Sequence, residues 1–253
     1  MNARTISLNV VRYVVSLSAL LLFWQGLISV FGIKPFLLPP PVTVGMTIVN
    51  DIGLFGRASL YTISNMIIGG SIGLTLAMVA AFTLAYFRSA RWIGEPYLVI
   101  FQSFPRESLL PLMVVWLGFG PASKIANAAM LSFFPVAVVT LNALSDTRRD
   151  YLQFVESLGA SRFEQFLCCR IPNAIPAILG ALKVGLPLAL IGAVLGEFMG
   201  GDKGLGYLIL TSGSSFRVDR VFGAVVILAL FGTMFLSLIV FFEKTFCRRF
   251  FQA

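Results

Sequence analysis

Apolar residues along this chain gather into six long runs, near Tyr13–Phe31, Tyr61–Phe87, Trp92–Leu117, Ile125–Leu144, Ala174–Met199 and Val221–Phe242. At about 1.5 Å of rise per helical residue, each run can cross about 30 Å of hydrocarbon, so the pattern predicts six membrane-spanning helices. Between the fourth and fifth runs the pattern changes. Over Tyr151–Pro172, the residues Tyr151, Phe154, Val155 and Leu158 recur at i, i+3, i+4 and i+7, which lays one apolar stripe on a helix of about three turns. Such a helix is far too short to span a bilayer. Its stripe predicts docking against another surface, with an ordinary amphipathic loop helix as the plainer alternative.

After the first run, Leu37-Leu38-Pro39-Pro40-Pro41 forms a stiff stretch that cannot continue a helix. Val42–Phe55 is weakly amphipathic and predicts a segment lying along the membrane surface. No internal repeat or low-complexity tail is evident.

Composition excludes a soluble globule. With 58% hydrophobic and only 12% charged residues, too little polar surface exists to cover one. The net charge of +8 does not point to nucleic acid, because the basic residues sit at the ends of the apolar runs, where they face lipid headgroups and fix orientation. One set of ends carries Arg4, Arg12, Arg88, Arg91, Arg148, Arg149, Arg162, Arg170, Lys244, Arg248 and Arg249, whereas the other carries Lys34, Arg57, Lys124, Lys203, Arg217 and Arg220. The richer set marks the cytoplasmic side, which places both termini and the Tyr151–Pro172 insert there. Arg4 and Arg12 ahead of the first run resemble the start of a secretory signal. That run is too long, and no small-x-small cleavage site precedes Gly32-Ile33-Lys34, so it reads as a retained first helix.

The residues that could carry chemistry are few. Histidine is absent, no segment holds paired carboxylates, and no nucleophile stands beside a base, so no catalytic set can be assembled. Gly200-Gly201-Asp202-Lys203-Gly204 lacks the spacing of a phosphate-binding loop. Cys168, Cys169 and Cys247 fall on the cytoplasmic side, predict no disulfide, and lack the further ligands a metal site needs.

Within the third run, Gln102-Ser103-Phe104-Pro105-Arg106-Glu107-Ser108 is polar where hydrocarbon is expected, and Pro105 removes a backbone donor. The stretch predicts a locally unwound helix facing protein or water. Gln102, Ser103, Arg106 and Glu107 are therefore candidates for lining a translocation pathway, or Arg106 and Glu107 form a structural pair. In the fifth run Lys183 and Glu197 lie within about 40° of one face and about 21 Å apart, which makes them weaker pathway candidates. For Lys183, snorkelling or a structural contact is the competing reading. Gly192, Gly196 and Gly200 repeat every four residues and predict close helix packing.

The insert also resembles a known signature. Gly159, nine residues, then Cys169-Arg170-Ile171-Pro172 is similar to the E-A-A, x3, G, x9, I-x-L-P loop of ABC importer permeases, with Gln153, Phe154 and Val155 in the places of Glu-Ala-Ala. Glu156 is the nearest acidic residue. Leu38-Pro39-Pro40-Pro41, Ala58-Ser59-Leu60, Gly69, Gly73 and the string from Gly180 to Leu210 resemble permeases of the nitrate, sulfonate, taurine and pyrimidine-precursor group. The I-G-A-V-x-G-E-F and G-L-G-Y-L-I elements lean toward carriers of thiamine pyrimidine precursors or riboflavin.

The resemblance implies an all-α, type I permease, with residues 1–253 as one transmembrane domain and a coupling loop near 146–172. It implies that Gln153, Phe154, Val155, Glu156, Leu158, Gly159, Ala160 and Ser161 engage an ABC ATPase, which would bind ATP and Mg, so that this chain holds no cofactor. The other implied partners are a second permease subunit in a homodimer, an extracytoplasmic substrate-binding protein and the bilayer of a bacterial inner membrane. A self-contained secondary transporter or channel is the alternative. It leaves the docking helix without a purpose.

Overall fold

The computed structural model describes residues 3–250, with the side chains of residues 3–11, 13, 14, 149 and 246–250 lying outside the described set. Arg4, Arg149, Cys247, Arg248 and Arg249, invoked above for orientation and thiol chemistry, are therefore among side chains outside the described residues. Every regular element among the described residues is helical. The six apolar runs fall on α1 (Ala3–Phe31), α3 (Ile52–Tyr86), the pair α4 (Arg88–Ser103) and α5 (Leu110–Leu117), α6 (Pro121–Ser145), α9 (Ile171–Phe198) and α11 (Val218–Phe250). Between them stand α2 (Pro41–Asn50), α7 (Arg149–Ser157), α8 (Arg162–Gln165) and α10 (Leu205–Ser214). Among the described residues four helices are long and apolar enough to cross a membrane, and α4 with α5 makes a fifth if that bent pair is one span. In α1 the described apolar part, Val15–Phe31, is shorter.

Two elements differ from expectation. The second span begins at Ile52, nine residues before Tyr61, because the break after α2 is a single residue. Asp51 leaves helical geometry only at φ −103°, ψ 25°, its N–H still donates to Thr47 O, and its own carbonyl accepts from Leu54 and Phe55. The surface segment expected over Val42–Phe55 is therefore α2 plus the opening turn of α3. The second difference is α10, which lies between the fifth and sixth runs, where the sequence pattern predicted no helix.

The chain divides into two compact units. The first combines Met1–Arg57 with Leu208–Ile227. Within it, Pro41 opens α2, a position where the missing N–H costs nothing. Thr47 Oγ1 donates to Asp219 Oδ2 at 3.0 Å and Arg220 Nε meets Asp51 Oδ2 at 2.8 Å. Trp24 and Phe222 approach to 5.5 Å between ring centres.

The second unit, Ala58–Tyr207 with Leu228–Ala253, carries the larger core. Its broadest helix–helix contact joins α6 to α9. Small residues make that approach possible. A Cβ on Gly192 would stand 2.6 Å from Asn127 O and 2.8 Å from Ala128 Cα, so α6 occupies the space a side chain would need. Gly196 faces Lys124 and Asn127 in the same way, while Gly200 lies beyond the end of α9 and fits against the Phe119 ring. Gly192 and Gly196 thus lie against α6, and Gly200 against Phe119. Gly69 and Gly73 of α3 are likewise filled by the α6 backbone at Ile125 and Ala129. Ala77, Ala81, Val136, Ala137, Leu141 and Ala181 continue the core below them.

Candidate functional site

The insert after α6 is built to hold a short helix away from the rest of the chain. Helix α7 ends in a Schellman turn, in which Ala160 N–H donates to Val155 O at 3.3 Å and Gly159 N–H to Glu156 O at 2.9 Å. Gly159 takes φ +87°, which a side chain makes costly. Ser161 then caps α8, its hydroxyl accepting from Glu164 N–H while its own N–H donates to the Glu164 carboxylate at 2.7 Å. One turn of α8 and a π-helical turn over Phe166–Arg170 run directly into α9. Phe166 is buried and meets Tyr86 at 5.4 Å and Phe82 at 6.2 Å, and Phe163 meets Tyr86 at 6.4 Å. This aromatic cluster ties the insert to the end of α3. Sequence reading missed it, although the spacing of Phe163 from Phe166 and of Phe82 from Tyr86 was the available signal.

The stripe on α7 points outward. Tyr151, Phe154 and Leu158 are 50%, 61% and 72% exposed, whereas Val155 is half-buried. Gln153, Glu156, Gly159 and Ser161 are exposed and Ala160 is half-buried. Phe163 and Leu167 extend the apolar surface onto the next two turns. A cleft of about 470 Å³, lined by Thr147, Arg148, Asp150, Tyr151, Phe154 and Asn173, opens beside it. No part of this chain covers the stripe among the described residues.

The polar stretch of the third run is unwound, as Pro105 dictates. Phe104 is driven to φ −77°, ψ 138°, the extended geometry that a following proline imposes, and α4 stops at Ser103. A 3-10 turn, Arg106–Leu109, follows, and the continuation through α5 leaves at 87° to α4. Phe101 stacks on Phe134 at 5.7 Å and Leu110 and Val114 are buried, which fixes both arms on the second unit. Gln102, Ser103 and Glu107 are exposed and Arg106 is half-buried. Arg106 and Glu107 form no ion pair with each other or with any other described residue. Nε and Nη1 of Arg106 are shut away from solvent with no acceptor, at a cost of about 1–3 kcal/mol for each unmatched group.

Lys183 and Glu197 are not brought together. Lys183 Nζ pairs with Glu243 Oε2 on α11 at 2.5 Å, the structural contact weighed against a pathway role. Glu197 is fully buried at the end of α9 rather than open to a passage. Thr62 Oγ1 lies 2.8 and 3.0 Å from its two oxygens, Gly206 N–H donates to Oε2 at 2.8 Å, and Leu205 N–H donates to Thr62 Oγ1 at 2.8 Å. Lys124, counted above with the outer loops, is also fully buried, and its ammonium donates to the carbonyls of Phe119 and, at 3.1 Å, Gly200. These groups lock the turn between α9 and α10. Neither Thr62 nor Lys124 was singled out by the sequence, because their roles depend on a turn far along the chain. No cluster of three potential metal ligands occurs among the described residues.

An all-helical fold with four apolar spans, or five counting the bent pair, and an uncovered amphipathic helix among the described residues is that of a polytopic membrane protein. Residues 73–249 match the family described as the binding-protein-dependent transport system inner membrane component, and the chain belongs to that family. It is a permease subunit of an ABC importer and a multi-pass inner membrane protein. The chain is 30% identical to a probable ABC transporter permease protein of Haemophilus influenzae, over 83% of this chain and 85% of that protein. It is 31% identical to the formylaminopyrimidine transport permease protein ThiX of Halalkalibacterium halodurans, over 85% and 86% respectively, and 32% identical to the riboflavin transport system permease protein RibX of Chloroflexus aurantiacus, over 85% and 81%. Its fold is similar to that of a chain in a structure described as inward-facing conformations of the MetNI methionine ABC transporter, with a TM-score of 0.65 over 79% of this chain and 97% of that chain at 19% identity.

Proposed function

We propose that two copies of this chain form the passage of an ATP-driven importer and that α7, with its Gly159 turn, receives the stroke of the ATPase. The exposed apolar face of Tyr151, Phe154 and Leu158 is the observation that supports this most, since none of the described residues covers it. In this reading Gln153, Phe154, Val155, Glu156, Leu158, Gly159, Ala160 and Ser161 sit in a cleft of the ATPase, which binds ATP and Mg. The Schellman turn, the capping box and the Phe166–Tyr86 contact make the insert stiff, so a displacement of α7 is passed to the ends of α3 and α9. Rocking of the helices then alternates access to the two sides. Both termini and α7 face the cytoplasm, and a substrate-binding protein delivers cargo from outside. Gln102 and Ser103 flank the passage, while Lys183 and Glu197 serve the fold.

The cargo is a small nitrogen heterocycle of the thiamine-precursor or riboflavin kind. Relatives named for such cargo are 31% and 32% identical, against 27% for the taurine permease TauC of Escherichia coli. The test is uptake by the purified complex in liposomes, with ATP inside, its binding protein outside, and labelled formylaminopyrimidine, riboflavin or taurine. ATP-dependent uptake of either heterocycle is expected. Uptake of taurine alone would overturn the cargo, and uptake of any solute without ATP would overturn the class.

A further inference from the structure

The 3-10 turn at the α4–α5 elbow holds two consecutive ionic residues, Arg106 and Glu107, that the chain leaves uncompensated. Among the described residues neither has an ion-pair partner: Arg106 is half-buried, with Nε and Nη1 enclosed and unmatched, and Glu107 is exposed. Exposed Phe101, Phe104, Val115 and Trp116 flank the turn in sequence. Hydrocarbon would satisfy those side chains but not a carboxylate or a guanidinium. A solute anion would satisfy Arg106 alone, with Glu107 next to it repelling that anion and still unpaired. A surface carrying one cation and one anion side by side is complementary to itself. In a twofold contact the same patch meets its own copy, so each residue i touches j and each j touches i.

We propose that the elbow is a seam between two copies of this chain, in which Arg106 of each copy takes the carboxylate of Glu107 of the partner subunit. The proposal rests on the reading of the importer as containing two copies, and it names where they meet. The contact adds two ion pairs at once, made to the open part of the half-buried Arg106 side chain, while Nε and Nη1 stay enclosed by the chain. It also places Gln102 and Ser103, one turn earlier, beside the line where the two copies join.

The test is carried out on the whole complex, with the two copies bearing different tags and recovery through both tags as the readout. Arg106→Glu in both copies sets Glu against Glu, and Glu107→Arg in both sets Arg against Arg, so each should lower two-tag recovery by about tenfold or more. Pairing one Arg106→Glu copy with one Glu107→Arg copy restores opposite charges at both contacts, and recovery should return to near the wild-type level. That rescue also shows that both variants fold. Recovery in the mixed pair no better than in the single variants, or single variants equal to wild type, would overturn the seam. So would loss of uptake in Arg106→Glu with normal two-tag recovery and normal transport by Glu107→Arg, the pattern of an anion site for cargo. If wild-type copies never copurify through both tags, the two-copy reading itself fails, and the seam with it.

Discussion

Glu197 shows how a side chain can be singled out in the sequence without the groups that hold it. A fully buried carboxylate is tolerable only with donors around it, and Thr62 Oγ1 and Gly206 N–H supply them. Glu197→Ala leaves the buried Gly206 N–H without its acceptor and Thr62 Oγ1 with only Ala58 O, and should destabilise the chain by about 1–3 kcal/mol, seen as a lower melting temperature in detergent. Glu197→Gln keeps an acceptor and should lose less; equal melting of all three proteins would contradict the network. Gly204 is bound to the same group, since at φ +104° a Cβ there would overlap the Glu197 carboxylate. Gly204→Ala should therefore lower the melting temperature as well, even though it removes no bond. None of this was legible in the local sequence. Lys183 looked like a companion because helical spacing put it near the same face, but its carboxylate, Glu243, comes from a helix 60 residues away.

Elements were easier to read than partners, because hydrophobic period and proline act locally. The apolar runs, of which four, or five with the bent pair, are long enough to span among the described residues, and the break at Pro105 follow from residues within a turn or two of the feature. The early start of α3 did not, since Asp51, Gly53 and Arg57 interrupt the apolar run that a spanning helix was expected to show, and α10 was hidden in a short glycine-containing stretch. At this scale Gly192→Val should force α6 and α9 apart, because the added atoms meet backbone rather than a movable side chain, and the yield of folded protein should fall sharply. Gly159→Asp should cost about 1–2 kcal/mol in the turn itself. Its expected phenotype is different: normal yield, with transport uncoupled from ATP hydrolysis, measured as uptake per ATP in liposomes.

For the molecule as a whole, the account requires α7 to lie in the cytoplasm and to be held by an ATPase. Positions 52, 157 and 214 are all exposed in the structure, so each can report its side. On a cysteine-free background, an impermeant thiol reagent should label cysteines at 52 and 214 in intact cells, and one at 157 only after the membrane is opened. The most direct test is to purify the wild-type chain and Leu158→Glu from native membranes in mild detergent and measure the ATP hydrolysis that accompanies each. Leu158 is 72% exposed, so the substitution leaves the fold intact while placing a charge where the partner's cleft must close. Wild type should carry an ATP-hydrolysing subunit, and Leu158→Glu should lose it at an unchanged yield of permease. Equal hydrolysis with both proteins would contradict the role assigned to α7.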